Sequence, residues 1–174
     1  MKAIQLIKYG DAHTAFQTNE VPIPSLKSRD SILIKVQAFG INFADVMARK
    51  GLYRAAPNLP AILGYEVVGI IEKVNANSNE HLIGKRVLAM TRFGGYAEYS
   101  VASIKGIIEI HDQVSNGHAL ALATQYCTAY LAIKKTNLTN NDFVLIHSAS
   151  GGVGTALTQL AKLINCQIIG LTGT

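Results

Sequence analysis

Charge is scarce in this chain. Asp, Glu, Lys and Arg make up 16% of its 174 residues, and hydrophobic residues make up 49%. Disordered chains have the opposite bias, so a folded core is expected. The length is sufficient to bury that core without disulfides or metal to staple it. Cysteine is nearly absent. Cys127 and Cys166 lie far apart, and neither has a second Cys or a His at metal-ligand spacing. That excludes a disulfide framework and a structural zinc site. Long apolar runs are missing too. The start is apolar only from Ala3 to Ile7 before Lys8 and Asp11, too short for a signal-peptide core. A long stretch without a charged residue, Phe143–Ala161, is broken by the small and polar residues 148–155, so it does not read as a membrane helix. These absences predict a cytoplasmic, reduced protein with no stable membrane insertion.

The balance of 16 Lys and Arg against 11 Asp and Glu leaves a formal charge of +5 and a pI near 9.3. The basic residues form only small groups: Arg49, Lys50 and Arg54; Lys85 and Arg86; Lys134 and Lys135. No aromatic ladder is interleaved with them, so nucleic acid is not an expected partner.

Residues up to about 110 read as short strands separated by Gly, Pro and Asn turns. Ala3–Lys8, Ile32–Ala38, Glu66–Val74, Arg86–Met90, Tyr96–Val101 and Ile107–Ile110 carry the pattern of an antiparallel barrel or sandwich. One helix interrupts it, Phe43–Arg49, with Asn42 at its N-cap position. From residue 115 the pattern changes. A short helix begins near Ala119, and a second spans Cys127–Lys135, its basic end suiting the helix dipole. A strand at Phe143–His147, a small-residue turn, a helix at Thr155–Ile164 and a strand at Gln167–Leu171 then make a β-α-β unit. The domains are expected at 1–122 and 123–174.

The turn reads Ala149-Ser150-Gly151-Gly152-Val153-Gly154. Set against the dinucleotide fingerprint G-x-G-x-x-G, Gly151 and Gly154 stand at the second and third glycines and Ala149 at the first. A glycine at the second place lets backbone approach a pyrophosphate, and one at the third lets helix pack on strand. The following helix points its positive end at the phosphates. The acid that reads a ribose is expected at the end of the second strand. That place holds Leu171-Thr172-Gly173-Thr174, and no acidic residue follows Asp142. The absence removes repulsion toward a 2′-phosphate, so NADP(H) is favoured over NAD.

These segments together resemble the medium-chain dehydrogenase/reductase superfamily, and within it the zinc-independent quinone oxidoreductases. The resemblance is carried by residues 40–53 (Gly-Ile-Asn-Phe-Ala-Asp-Val-Met-Ala-Arg-Lys-Gly-Leu-Tyr), 63–69 (Leu-Gly-Tyr-Glu-Val-Val-Gly), 84–87 (Gly-Lys-Arg-Val), 94–99 and 128–130, with the 149–154 turn. The Asn-Phe-Ala-Asp stretch is most similar to the VAT-1-like branch. The resemblance implies an α/β chain with a β-rich part: a GroES-like antiparallel β-barrel, followed by the start (β-α-β) of a Rossmann doubly wound parallel sheet. Zinc-dependent members use a Cys near the Asn42 region and a Gly-His-Glu box. Here Asn42 has no neighbouring Cys and Gly64-Tyr65-Glu66 replaces the box, so no metal is expected.

Without a Lewis acid, a conjugated enone or quinone is a better hydride acceptor than a simple ketone. Addition at carbon spreads negative charge onto the carbonyl oxygen. Tyr53 is the first candidate to donate a hydrogen bond to that oxygen. The alternative is a tyrosine packed at a helix end with its hydroxyl in water. By resemblance Asn42 lies near nicotinamide and substrate, with a helix N-cap as the competing role. Thr128 matches a position beside the nicotinamide, against a helix threonine without ligand. Ala149, Ser150, Gly151, Gly152, Val153, Gly154 and Thr172 complete the expected cofactor contacts. Asp45 and Arg49, spaced i, i+4, are expected to form a surface ion pair. His147 is placed on a strand buried on both faces, and Cys127 reads as a small buried residue.

The expected function is hydride transfer from NADPH to a quinone or α,β-unsaturated carbonyl, with a homodimer as a possible assembly. The alternative is a non-catalytic, NADP-binding or membrane-associated VAT-1-like adaptor. The resemblance places these residues in the N-terminal part of a longer chain. The expectation is therefore a fragment whose last fifty or so residues are poorly ordered or pair with another copy.

Overall fold

A computed structural model describes residues 1–173. The chain forms two compact units, Met1–Leu120 and the residues from Ala121 onward.

The first unit is built on antiparallel strands. β1 (Lys2–Leu6) pairs with β2 (Phe16–Glu20) and β4 (Ala61–Ile62), and the short helix α1 (Ala12–Ala15) joins β1 to β2. β3 (Ser31–Phe39), β5 (Glu66–Val74), β6 (Arg86–Met90), β7 (Tyr99–Ser103) and β8 (Ile107–Glu109) form a second sheet in the order β7-β3-β5-β6-β8. β7 and β8 are its opposite edges, yet only Ile104–Gly106 separate them in sequence. A flat five-stranded sheet would hold its edges about 19 Å apart. Four peptide steps reach about 14 Å at full extension, so the sheet has to curl. The curl brings Ile32, Ile34, Val67, Ile71, Val87, Ala89 and Ala102 together as one core. A second core gathers Leu6, Ala15, Ala48, Ala61, Leu63 and Tyr96 under α2 (Phe43–Arg49).

The second unit begins inside a helical stretch. α3 (Asn116–Ala121) runs through a π-helical turn at Leu122–Tyr126 into α4 (Cys127–Thr136), one interrupted helix where the sequence suggests two. Asn137, in the left-handed conformation (φ 52°), ends it. β9 (Phe143–His147) and β10 (Gln167–Leu171) are parallel and in register from Phe143 opposite Gln167 to His147 opposite Leu171. α5 (Gly152–Leu163) is the crossover between them. It starts three residues before the expected Thr155, because glycine is tolerated in a first turn whose N–H groups have no helical acceptor.

Two expectations fail on burial. β9 is not covered on both faces: Phe143, Leu145 and His147 are exposed, as are their partners Gln167, Ile169 and Leu171. Alternation puts Val144 and Ile146 on the other face, and only that face is covered within the unit. Cys127 is likewise exposed, its Sγ donating to the Leu122 carbonyl at 3.6 Å.

Candidate functional site

Asn42 caps α2, and the cap extends into a buried polar network. The Asp45 carboxylate accepts from the Asn42 backbone N–H at 2.9 Å, closing a capping box. It also accepts from the Gly64 N–H at 3.3 Å, and the Tyr96 phenol lies beside it. The Asn42 amide donates to both oxygens of Glu66, at 2.8 and 3.0 Å. Because a carboxylate only accepts, this fixes which end of the Asn42 amide is the nitrogen. Asn42, Asp45 and Glu66 are all buried, Asp45 at 3% and Glu66 at 2% exposure. Burial first, and then Asp45, raises the Tyr96 phenol well above its ordinary range, so it remains a donor.

The expected Asp45–Arg49 surface pair does not form. Asp45 points inward, and the Arg49 guanidinium donates to the Gly10 carbonyl instead. An acid at the third helical residue is better used closing the cap than reaching along the surface.

Two glycines make room for this network. Gly64 has φ +100°, and a Cβ there would meet the Tyr96 ring at 2.6 Å. A Cβ on Gly40 would fall 1.9 Å from the Glu66 carboxylate. Gly40→Ala should therefore push Glu66 off Asn42 and lower stability by about 1–3 kcal/mol. Thermal melts beside wild type measure the loss.

Tyr53 follows α2, half-buried against the second core. Its ring meets that of Tyr65 edge-on, centroids 6.3 Å apart, and Phe93 lies on Tyr65 at 5.2 Å. Arg92 beside them is exposed and adopts φ 63°, left-handed backbone that a non-glycine residue takes at a cost. Sequence reasoning singled out Tyr53 and missed Tyr65, Phe93, Arg92, Glu66 and the buried role of Asp45. A separate open cavity of about 520 Å³, lined by Lys2, Thr18, Gln37 and Glu98 among others, contains none of the expected site residues.

In the second unit the turn is tightly built. The Gly151 N–H donates to the Ser148 carbonyl at 2.9 Å, and Ser148 takes φ 53°. The Ala149 N–H donates to the Leu171 carbonyl at 2.9 Å, bringing the end of β10, and with it the exposed Thr172, beside the turn. Ser150, Gly151, Gly152 and Val153 are exposed at the head of α5, and Gly154 is buried. The glycines differ in kind. A Cβ on Gly154 would lie 2.1 Å from the Ser148 carbonyl oxygen, and one on Gly152 would strike the Gln125 side chain. Gly151 has φ −76° and ψ 168°, open to any residue, and a Cβ there would meet only the Ser148 oxygen at 3.2 Å. The fold needs glycine at 154 far more than at 151. Thr128 is exposed in the first turn of α4, its hydroxyl donating to the Thr124 carbonyl at 2.6 Å. Among the described residues, no group of three or more His, Cys, Asp or Glu is placed to hold a metal ion. No helix among them is long and apolar enough to cross a membrane.

Residues 28–112 match the alcohol dehydrogenase GroES-like domain. Over 176 aligned residues the chain is 34% identical to human quinone oxidoreductase, covering 100% of this chain and 53% of that protein. The crystal structure of human synaptic vesicle membrane protein VAT-1 homolog-like protein superposes with a TM-score of 0.93 at 31% identity, covering 100% of this chain and 56% of that one. The Escherichia coli quinone oxidoreductase complexed with NADPH superposes with a TM-score of 0.90 at 30% identity, covering 100% and 53%. The chain spans about half the length of the quinone oxidoreductases it matches. A curled antiparallel GroES-like unit followed by the opening β-α-β of a Rossmann sheet, with these relatives, places the chain in the medium-chain dehydrogenase/reductase superfamily, among the quinone oxidoreductases and VAT-1-like proteins.

Proposed function

We propose that this chain supplies the substrate unit and the first phosphate-binding turn of an NADPH-dependent, zinc-independent quinone or enone reductase. The observation that carries the reading is Gly151. It is exposed at the head of a twelve-residue helix, and its own fold makes little demand for glycine there. A ligand whose oxygens come close to backbone explains the missing side chain. The unpaired N–H groups of the first turn of α5 and the helix dipole favour an anion at that point.

In this reading residues 1–122 form the substrate domain and 123–174 the first part of the NADP-binding domain. Ala149, Ser150, Gly151, Gly152, Val153 and Gly154 hold the pyrophosphate, and Thr172 borders the ribose side. Thr128 offers its hydroxyl oxygen as an acceptor, its proton being engaged with Thr124. The bound cofactor supplies a hydride. Tyr53 donates to the substrate carbonyl oxygen as charge develops there. Asn42, held by Glu66 and Asp45, fixes the start of α2 and borders nicotinamide and substrate. The reading includes a cytoplasmic protein without stable membrane insertion, and a homodimer as its assembly.

A panel of quinones and enones mixed with NADPH tests this through loss of the reduced-nicotinamide absorbance. Turnover with at least one acceptor is expected of the enzyme that contains this chain. Tight NADPH binding without turnover of any acceptor favours instead a non-catalytic VAT-1-like adaptor, the reading that the VAT-1-like structural match supports.

A further inference from the structure

The Tyr65 hydroxyl is buried and has no hydrogen-bond partner. Buried hydroxyls are almost always paired, because an unpaired one forfeits its water without compensation. Tyr53 approaches it without reaching hydrogen-bond geometry. Three features surround this orphan donor. Tyr53 lies edge-on as the half-buried outer wall, Phe93 lies against the ring, and the Arg92 side chain brings positive charge. Arg92 itself adopts left-handed backbone. The groups facing Tyr65 are thus one further phenol, one cation and the Asp45 carboxylate, which already accepts from the Asn42 and Gly64 backbone N–H groups.

We infer that Tyr53 and Tyr65 form a two-phenol clamp for one carbonyl oxygen of a flat conjugated substrate, with Arg92 favouring the negative charge that gathers on it. The inference rests on the reductase reading for its substrate and adds to it the second donor and the cation. For the oxygen to enter, the Tyr53 side chain turns outward and the oxygen takes the place between the two hydroxyls. Tyr65 donates to it from inside and Tyr53 from the solvent side. When hydride, supplied by NADPH, adds to the β-carbon, the C=C pair shifts to the bond between α-carbon and carbonyl carbon. The carbonyl π pair moves to oxygen. Tyr53 passes its proton to that oxygen and regains one from water, while Tyr65 retains its own. Burial, and next Tyr53, raises the Tyr65 phenol above its ordinary range, which suits a group that donates without ionising.

The test uses 4-nitrophenol, whose phenolate mimics a conjugated oxyanion and reports its own ionisation by colour. Wild-type chain should bind the phenolate and shift the probe's ionisation to lower pH. Tyr65→Phe should weaken binding about tenfold or more and shrink that shift, since hydrogen bonds to charged acceptors are the stronger ones. Arg92→Gln should also shrink the shift. The Tm of Tyr65→Phe should equal that of wild type or exceed it by a few degrees, because the hydroxyl removed is unpartnered. A structural hydroxyl would instead lower the Tm, and that result overturns the clamp. Binding of 4-nitrophenolate by Tyr65→Phe as tight as by wild type, or none by wild type, also overturns it. The two readings separate cleanly: phenolate binding lost in Tyr65→Phe without any NADPH binding refutes the reductase and leaves the clamp standing. NADPH binding with phenolate binding indifferent to Tyr65 does the reverse.

Discussion

Gly151→Asp should abolish NADPH binding while leaving the fold intact. The new Cβ would stand 3.2 Å from the Ser148 carbonyl oxygen, a tight contact that a few tenths of an ångström of movement relieves. The backbone there, φ −76° and ψ 168°, suits any residue. The carboxylate would lie where a pyrophosphate has to approach. Two like charges at about 4 Å repel by about 4 kcal/mol at the effective dielectric of a protein surface. That is about a thousandfold in affinity. Titration calorimetry of both proteins measures the difference, and a melting curve separates lost binding from lost fold. Gly154→Ala makes the complementary case. Its Cβ would fall 2.1 Å from the same carbonyl oxygen, so stability and binding should fall together.

Asp45→Ala should be the most destabilising single truncation at the α2 cap. It removes the acceptor of two backbone N–H groups, those of Asn42 and Gly64. Both donors belong to buried residues, where water does not replace the carboxylate. At about 1–3 kcal/mol for each orphaned group, discounted for partial relaxation, the loss is about 2–4 kcal/mol. For a chain of this size that lowers the Tm by roughly 4–16 °C. Asp45→Asn retains one acceptor oxygen and should lose about half as much. A loss under 1 kcal/mol for the alanine variant would mean that the network does not hold the cap. The result bears on function because the same carboxylate fixes Asn42, the start of α2 and the Gly64 turn ahead of Tyr65.

Local chemistry made several elements legible. Asn42 before an apolar helical run marks the start of α2, and the β-branched runs at Phe143–His147 and Gln167–Leu171 coincide with β9 and β10. Asp45 and Arg49 show the limit of such reading. An i, i+4 acid and base describe an exposed ion pair and a buried cap equally well, and only packing decides between them. The spacing Asn42-x-x-Asp45 carried the second possibility, as a variant of the capping box. Glu66 stands in the segment that carries the resemblance, but nothing local marks its partner. Its partner is 24 residues away, and a carboxylate in a β-branched strand gives no hint that it faces an amide across the unit. The His147 strand shows another limit: apolar residues on both faces of a strand do not state whether the layers that would cover them are present. Tyr65 was read only as the residue replacing a zinc ligand. What distinguishes it is a hydroxyl without a partner, a property of the folded surroundings.

The phosphate-binding role of the 149–154 turn is tested most directly by hydrogen–deuterium exchange of the chain with and without NADPH. The first-turn amides of α5, Gly152, Val153 and Gly154, have no acceptor within the helix and should exchange fast in the free chain. With NADPH bound, these amides and that of Gly151 should slow markedly, and Gly151→Asp should show no such change. Saturation by NADPH with protection elsewhere and none across 151–154, or no protection anywhere at concentrations that saturate the related enzymes, would contradict the account.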